Sequence, residues 1–160
     1  MGTCDLCDAH KDRADGLLRV LPPVYRDFGG AVAGAGRIAT VQCLDDNSRV
    51  REAVQSPGQG RVLVVDGGAS LRRALVGGNL AVAAHQNGWA GLVVHGAVRD
   101  VAELAAVPLF IRALAACPMP TDRKGQGLAD VPLHLHGFWL HPGEWLCADA
   151  DGMVVLPEAP

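Results

Sequence analysis

The residues of this chain with the clearest chemical potential are Arg99 and Asp100, which directly follow an apolar run that begins at Gly91. Such a run predicts a buried strand, and open α/β sheets bind their ligands at the carboxyl ends of their strands. A guanidinium can hold an anion through two parallel hydrogen bonds, and a neighbouring carboxylate can hold a hard divalent cation. The pair therefore predicts a metal-assisted site for a small oxyacid.

A glycine pair upstream of that strand, Gly77 and Gly78, interrupts a segment whose pattern predicts a helix. The helix is expected to begin at Ser70, to break at the glycines and to resume at Asn79. The break creates a new helix N-terminus, and its free backbone N–H groups can bind a carboxylate. Spacing alone favours a simple kink, so both interpretations stay open at this point.

Cysteines and histidines do not add a second site. Cys4 and Cys7 form a lone C-x-x-C without the second ligand pair that a structural zinc site needs, so we expect small residues in the first turns of a helix. His134 and His136 alternate along a predicted strand without a third ligand, and we expect ordinary sheet residues there. Five cysteines, an odd number, do not indicate a disulfide framework.

The composition is typical of a single globular domain over residues 1–160, because 49% of the residues are hydrophobic and 19% are charged. The net charge is −3 and no basic run exceeds Arg72-Arg73, which argues against direct nucleic-acid binding. Asp5 and Asp8 interrupt any signal-peptide core, and no apolar run reaches membrane-spanning length. We therefore expect a cytoplasmic protein without a membrane partner.

The pattern of apolar runs and turn residues predicts an α/β fold, with β-α-β units and antiparallel hairpins in one mixed sheet. Gly34-Ala35-Gly36 precedes a strand instead of following one, so it predicts a turn or close backbone packing and not a dinucleotide site. Helices are expected at 3–18, 49–54, 70–85 with its break, and 101–104. Strands are expected at 37–43, 61–65, 91–95, 108–117, 131–136, 138–141, 144–147 and 153–156, and a surface loop at 118–130.

Five longer motifs together carry a family resemblance: CDLCD at 4–8, FGG at 28–30, GRVLVVDGGASLRRAL at 60–75, NGWAGLVVHGAVRD at 87–100 and PGEWLCADADGMVV at 142–155. With them the chain, nearly end to end, resembles the RraA-like family. This family includes the regulator of ribonuclease E activity A and the bacterial class II 4-hydroxy-4-methyl-2-oxoglutarate aldolases. The resemblance implies a compact α/β/β domain, similar to swivelling domains, that forms a ring-shaped homotrimer with sites between neighbouring subunits.

The resemblance implies two functions. The first is a lyase dependent on Mg²⁺ or Mn²⁺, which cleaves 4-hydroxy-4-methyl-2-oxoglutarate to two pyruvates and decarboxylates oxaloacetate through the same pyruvate enolate. The alternative is a non-catalytic inhibitor of a ribonuclease E-type enzyme, with which the acidic net charge is compatible. The regulator branch can lack the metal-anchoring aspartate, whereas this chain keeps Asp100. The lyase is therefore the preferred hypothesis, and a purely structural trimeric scaffold is a third.

Residue by residue, the resemblance implies that Arg99 binds substrate and stabilises the enolate, and that Asp100 anchors the metal. Without the resemblance, a surface arginine beside an acid and a solvated helix-capping aspartate are the simpler interpretations. The backbone amides that would hold the substrate carboxylate are those of Gly77, Gly78, Asn79 and Leu80.

Position 78 departs from the family pattern, because the aldolases usually carry an aspartate where this chain has Gly78. Loss of one general acid or base typically costs roughly 10²–10⁴-fold in rate. The activity is therefore expected to be weak, absent or limited to decarboxylation. Asp66, at a neighbouring strand end, is a candidate substitute, and Glu144 and Asp149 are candidates for completing the metal shell of a neighbouring subunit.

Overall fold

Ten strands of this protein form one curled, mixed sheet with the shape of a half-barrel. The computed structural model describes residues 1–160. The helices are α1 (Thr3–His10), α2 (Ser48–Val54), α3 (Gly78–Gln86) and α4 (Val101–Ala105). The strands are β1 (Arg19–Val20), β2 (Arg26–Asp27), β3 (Gly34–Gln42), β4 (Val62–Asp66), β5 (Ala74–Val76), β6 (Gly91–Val98), β7 (Phe110–Ala116), β8 (Leu128–Ala129), β9 (Leu133–Leu135), β10 (Phe138–Leu140), β11 (Trp145–Asp149) and β12 (Gly152–Leu156).

The centre of the sheet is parallel and consists of β3, β4, β6 and β7 in that order. Antiparallel strands continue the sheet on both sides, with β11, β12 and β1 beyond β3, and β2 beyond β7. β9 and β10 form a separate two-stranded hairpin. The carboxyl ends of β4 and β6 therefore lie at one edge of the sheet, where α/β proteins bind ligands.

Both faces of the parallel strands are buried, which explains their unbroken runs of valine and leucine. On β4, Leu63 and Val65 belong to the core shared with α2, α3 and α4. Val62 and Val64 belong to the core on the other face, which is shared with the β9–β10 hairpin, β11 and β12. The layers are thus helices, parallel strands and antiparallel strands, and the expected mixed α/β fold is confirmed. The longest helix has 9 residues, and no helix is both long and apolar enough to cross a membrane.

The segment before the glycine pair is the strand β5, so the helix expected from Ser70 is wrong. β5 pairs in parallel with the last residues of β6, and Val76 lies opposite Val98. This pairing is available because β4 ends at Asp66, which lies opposite His95 and leaves the end of β6 with a free edge. Local pattern favoured a helix, whereas the unpaired edge of a distant strand decided the outcome.

Leu75 at the centre of β5 is 1% exposed, and two glycines make room for it. A Cβ on Gly67 would lie 2.5 Å from Leu75 Cδ1, and a Cβ on Gly96 would lie 3.2 Å from the same atom. The absence of side chains at Gly67 and Gly96 thus leaves the volume that Leu75 fills between β5 and β6.

Several other boundaries also differ from expectation. α1 ends at His10, well before residue 18, and Cys4 and Cys7 lie in it as free thiols, as expected. The expected surface loop at 118–130 contains β8, which pairs with the end of β3. β3 begins at Gly34, and a Cβ on Gly36 would overlap the carbonyl oxygen of Gly60, so the close backbone packing predicted for these glycines is confirmed.

Candidate functional site

The end of β6 and the start of α3 lie side by side, and this brings the candidate residues together. The backbone N–H of Arg99 donates to the carbonyl of Val76 at 2.9 Å, which continues the β5–β6 pairing by one residue. Gly77 follows β5 in extended backbone, and its carbonyl accepts the amide of Ala81 in α3 at 3.1 Å. The glycine pair is therefore a strand-to-helix turn and not a kink within a helix.

Asp100 turns back toward the start of α3 because its backbone is left-handed, with φ of 58° and ψ of 46°. Few residues other than glycine adopt this conformation, and aspartate is among those that tolerate it. Its Oδ2 accepts the backbone N–H of Gly78 at 2.9 Å. Its Oδ1 has no hydrogen-bond partner within the chain. One oxygen thus fixes the carboxylate, and the other is available to a ligand.

Gly77 is required here for space, since its φ of −122° is open to any residue. A Cβ on Gly77 would lie 2.6 Å from Asp100 Oδ2 and 3.4 Å from Arg99 Nε. Both functional side chains therefore lie directly against the backbone of the turn. The guanidinium of Arg99 makes no hydrogen bond or ion pair within the chain, so all of its donors are available to an anion.

The carboxylate of Glu103, on α4, occupies the space that an aspartate at position 78 would need. A Cβ on Gly78 would overlap Glu103 Oε2 and would lie 3.1 Å from Glu103 Cβ. The aspartate that the family resemblance implies at position 78 is absent, and the carboxylate of Glu103 on α4 lies against that position instead. Glu103 was not predicted from the sequence, although an acidic residue three positions after the helix-capping Asp100 lies in the first turn of α4, close to that cap.

Three of the four expected backbone donors, those of Gly77, Asn79 and Leu80, are free. The amides of Asn79 and Leu80 lie in the first turn of α3, where no helical carbonyl can accept from them, and they have no other acceptor in the chain. The amide of Gly78 is already bound to Asp100. The positive end of the helix dipole adds to the attraction that this turn exerts on an anion.

Asn79, Leu80, Arg99 and Asp100 line one cavity of about 90 Å³. The loop after β7 also contributes to its wall. The sequence predicted only a surface loop there, so Thr121 and Arg123 were missed as polar lining residues. Asn47, which precedes α2, was missed as well.

Asp66, the substitute considered from the sequence, does not line this cavity. Its Oδ1 accepts the amide of Gly68 at 2.9 Å, in the turn after β4. The structure contains no group of three or more His, Cys, Asp or Glu side chains that could hold a metal ion together. Within the chain, the carboxylates next to the cavity's helix N-terminus are those of Asp100 and Glu103.

Glu144 and Asp149, considered for a neighbouring metal shell, are engaged within their own chain. Glu144 forms an ion pair with Arg19, and Asp149 accepts the amide and the hydroxyl of Thr3 at 2.8 and 2.7 Å. Burial alone would raise the pKa of both carboxyls, but these hydrogen bonds lower each pKa below its ordinary value. Both side chains therefore have structural partners in this chain.

A second group of titratable side chains lies between β6 and the β9–β10 hairpin. Tyr25 Oη lies 2.9 Å from Nδ1 of His95 and 2.8 Å from Nε2 of His136. Burial lowers the pKa of both imidazoles and raises the pKa of the phenol, so all three groups are neutral near pH 7. His136 lies in the hairpin turn with φ of 55°, and not within a strand as expected.

Known proteins similar to this chain carry different names. A protein of Albidiferax ferrireducens with a provisional 4-hydroxy-4-methyl-2-oxoglutarate aldolase name is 58% identical over 161 residues, covering 96% of this chain and 93% of that protein. The structure of the RNA-processing inhibitor RraA from Thermus thermophilis is 48% identical, with a TM-score of 0.94 and coverage of 100% and 94%. A Geobacillus kaustophilus structure described as S-adenosylmethionine: 2-dimethylmenaquinone methyltransferase is 42% identical, with a TM-score of 0.92 and coverage of 99% and 96%.

These names describe three activities on one fold, so the function has to be argued from the site. The methyltransferase name finds no support in the sequence, because no glycine loop of the adenosylmethionine-binding type follows a strand. The sequence model of the family described as Aldolase/RraA matches residues 3–155. With that match and the identity of its relatives, the chain belongs to the RraA-like family.

Proposed function

We propose that this chain is a divalent-metal-dependent lyase that cleaves 4-hydroxy-4-methyl-2-oxoglutarate to two pyruvates, with oxaloacetate decarboxylation as a side activity. The observation that carries the proposal is the turn at the start of α3. There an unpartnered Arg99, a carboxylate of Asp100 with one free oxygen, and free helix amides line one cavity. The aldolase name of the 58% identical relative supports the same function.

The carboxylate oxygens next to position 78 are suitable ligands for a small, hard cation. Asp100 has a free oxygen, Glu103 brings a second carboxylate, and Gly77 leaves a space that a Cβ would fill. Mg²⁺ is commonly held by one or two carboxylates, with water and substrate in its other positions. Asp100 is therefore the residue that would hold Mg²⁺ or Mn²⁺, with Glu103 beside it. Such an ion supplies Lewis-acid polarisation of the 2-keto oxygen.

The binding and charge stabilisation that we assign to the chain itself come from Arg99 and the helix. The amides of Asn79 and Leu80 hold the 1-carboxylate of the keto acid at the positive end of α3. When the C3–C4 bond breaks, its electron pair moves into the enolate and negative charge grows on the 2-oxygen. The free donors of Arg99 then gain strength with that charge, which is the condition for lowering a barrier.

Glu103 is the residue that we assign to proton transfer. In the cleavage the 4-hydroxyl loses a proton and C3 of the enolate gains one, so an acid-base group within reach raises the rate. The carboxylate of Glu103 fills the volume of the aspartate missing at position 78. The departure at Gly78 therefore moves the acid-base group from α3 to α4, and aldol cleavage does not require a residue at position 78.

The second candidate is a non-catalytic regulator of a ribonuclease E-type enzyme. It is favoured by the 48% identity to the RNA-processing inhibitor RraA. In either case we propose a cytoplasmic homotrimer, as the family resemblance implies, with the cavity next to a neighbouring subunit.

Pyruvate release measured from 4-hydroxy-4-methyl-2-oxoglutarate and from oxaloacetate, with Mg²⁺ or Mn²⁺ and then with a chelator, tests the proposal. We expect turnover that the chelator abolishes and that added metal restores. An Asp100→Asn variant serves as the control for pyruvate formed without the enzyme. Absence of pyruvate with either metal, together with inhibition of a ribonuclease E-type enzyme, would support the second candidate instead.

A further inference from the structure

We infer that Arg123 binds the distal carboxylate of a dicarboxylic 2-keto acid and so sets the substrate specificity of this site. The inference rests on the proposed function, and it adds a residue that neither the sequence motifs nor the family resemblance assigned. Arg123 lies in the loop between β7 and β8, and it lines the same cavity as Arg99 and Asp100.

Arg123 is held in the cavity wall by Asn47, which is 7% exposed. Oδ1 of Asn47 accepts Nε of Arg123 at 3.1 Å and the hydroxyl of Thr121 at 2.8 Å. Nδ2 of Asn47 donates to the carbonyl of Leu75 in β5 at 3.0 Å. Because only Nε is engaged, both terminal nitrogens of Arg123 are available to a ligand as a fork.

The loop that carries Arg123 is fixed on both sides of it, so its geometry is preformed. Asp46 accepts the backbone amides of Lys124 and Gln126 at 2.8 and 3.2 Å. Burial alone would raise the pKa of Asp46, but its hydrogen bonds lower that pKa to about 2, so it stays charged. On the other side, the amide of Ala74 donates to the carbonyl of Met119 at 2.7 Å.

The charges of the cavity match a dianion better than a monoanion. Two guanidiniums, of Arg99 and Arg123, are balanced by two carboxylates, of Asp100 in the lining and of Glu103 next to the start of α3. A bound divalent cation would then leave an excess of two positive charges, which a dianion neutralises. With one carboxylate of the substrate on the α3 amides, the Arg123 fork is the free group left for the second.

A cation at the position of Arg123 also affects the rates of aldol cleavage and of decarboxylation differently. In the aldol cleavage the distal carboxylate keeps its charge and leaves on the second pyruvate, so Arg123 holds it equally well before and during cleavage. In decarboxylation the distal carboxylate of oxaloacetate gives the C3–C4 electron pair to the enolate and leaves as neutral CO₂. A cation there holds the ground state more strongly than the transition state, and so favours cleavage over decarboxylation.

Two uncleavable keto acids that differ only at the distal end test the inference: 2-oxoglutarate, and 2-oxopentanoate, in which a methyl group replaces the distal carboxylate. Their affinities are measured by titration calorimetry of the full chain with Mg²⁺. We expect the wild-type protein to bind 2-oxoglutarate at least about tenfold more tightly. We expect Arg123→Met to reduce this ratio to about one without weakening 2-oxopentanoate binding.

Lys124→Met is the matched control, because it removes the same charge one residue away and keeps the backbone amide that Asp46 accepts. It should keep the wild-type ratio. A tenfold preference that survives in Arg123→Met, or that Lys124→Met loses equally, contradicts the role of Arg123 while the lyase proposal stands. Both proposals are overturned if the wild-type chain binds neither keto acid and also releases no pyruvate. In turnover, Arg123→Met should raise KM for 4-hydroxy-4-methyl-2-oxoglutarate and lower the ratio of aldol cleavage to oxaloacetate decarboxylation.

Discussion

Asp100 and Asp149 both bring a carboxylate to a helix N-terminus, yet only one of them has capacity left for a ligand. Asp149 accepts the amide and hydroxyl of Thr3 at the start of α1, and the amide of Asp151, so both of its oxygens are engaged. Asp100 accepts one amide, from Gly78 at the start of α3. A carboxylate that only caps a helix has its oxygens satisfied by protein donors, whereas one that serves a ligand keeps lone pairs free.

The surroundings of the two carboxylates support the same distinction between a ligand-binding and a structural role. Asp100 lies beside the unpartnered guanidinium of Arg99 and next to the cavity. Asp149 instead joins β11 to α1, above the small core that Leu6 forms with Val154. Two similar hydrogen-bond motifs therefore lead to opposite expectations: loss of Asp100 should affect chemistry, and loss of Asp149 should affect folding.

The largest effect is expected for Asp100→Asn. The amide oxygen can still accept the N–H of Gly78, so the fold should persist, but the charge that would hold the metal is gone. Metal-dependent pyruvate release should fall by about 10³-fold or more, and the midpoint of thermal unfolding should change little. Asp149→Asn, measured in the same assay, should keep its turnover. Full turnover in Asp100→Asn would remove Asp100 from the metal site.

The next largest effect tests whether a carboxylate at position 78 can replace the carboxylate of Glu103. Glu103→Ala should lower the rate of aldol cleavage by roughly 10²–10³-fold, because the acid-base carboxylate is lost. The double variant Glu103→Ala with Gly78→Asp should cleave at least about tenfold faster than Glu103→Ala alone, because the freed volume accepts the new side chain. Gly78→Asp alone should lower the rate, because its Cβ overlaps the carboxylate of Glu103.

Glu52→Ala is the matched control for this series, because Glu52 is an exposed acid on a different helix, α2. It should leave cleavage unchanged. Equal rates for Glu103→Ala and Glu52→Ala would show that the acid-base group lies elsewhere. Loss of activity in the double variant, with the fold intact by circular dichroism, would show that the two carboxylate positions are not equivalent.

The smallest effect is expected for Asp149→Asn, and it is one of stability. Loss of the charged acceptor at the start of α1 should lower the free energy of unfolding at neutral pH by about 1–2 kcal/mol, measured by urea denaturation. The pKa of Asp149 is lowered in the folded state, so its contribution is present above the ordinary value and lost as the pH falls through the folded value. The difference between wild type and variant should therefore shrink as the pH falls from neutral to below the ordinary carboxyl pKa of 3.8. A difference that stays constant over this range would contradict the role of the charge.

The sequence was a reliable guide where the structure depends on contiguous residues. The apolar runs before Asp66 and Arg99 predicted β4 and β6, because strands that are buried on both faces leave an uninterrupted hydrophobic pattern. The helix after Asn79 also follows from local pattern. The same reasoning failed at β5, whose three residues are too few to show a period and whose pairing depends on where β4 ends.

The sequence by itself determined the family, the layered α/β architecture, and the position of Arg99 and Asp100 directly after a strand. Tertiary structure alone decided that Glu103 takes the volume missing at Gly78, since this depends on how α4 lies against the start of α3. It also decided that Arg123 lines the cavity, through a hydrogen bond to Asn47 that joins residues 76 positions apart. Such contacts leave no local pattern, because the free edges and volumes that create them exist only once distant segments have packed.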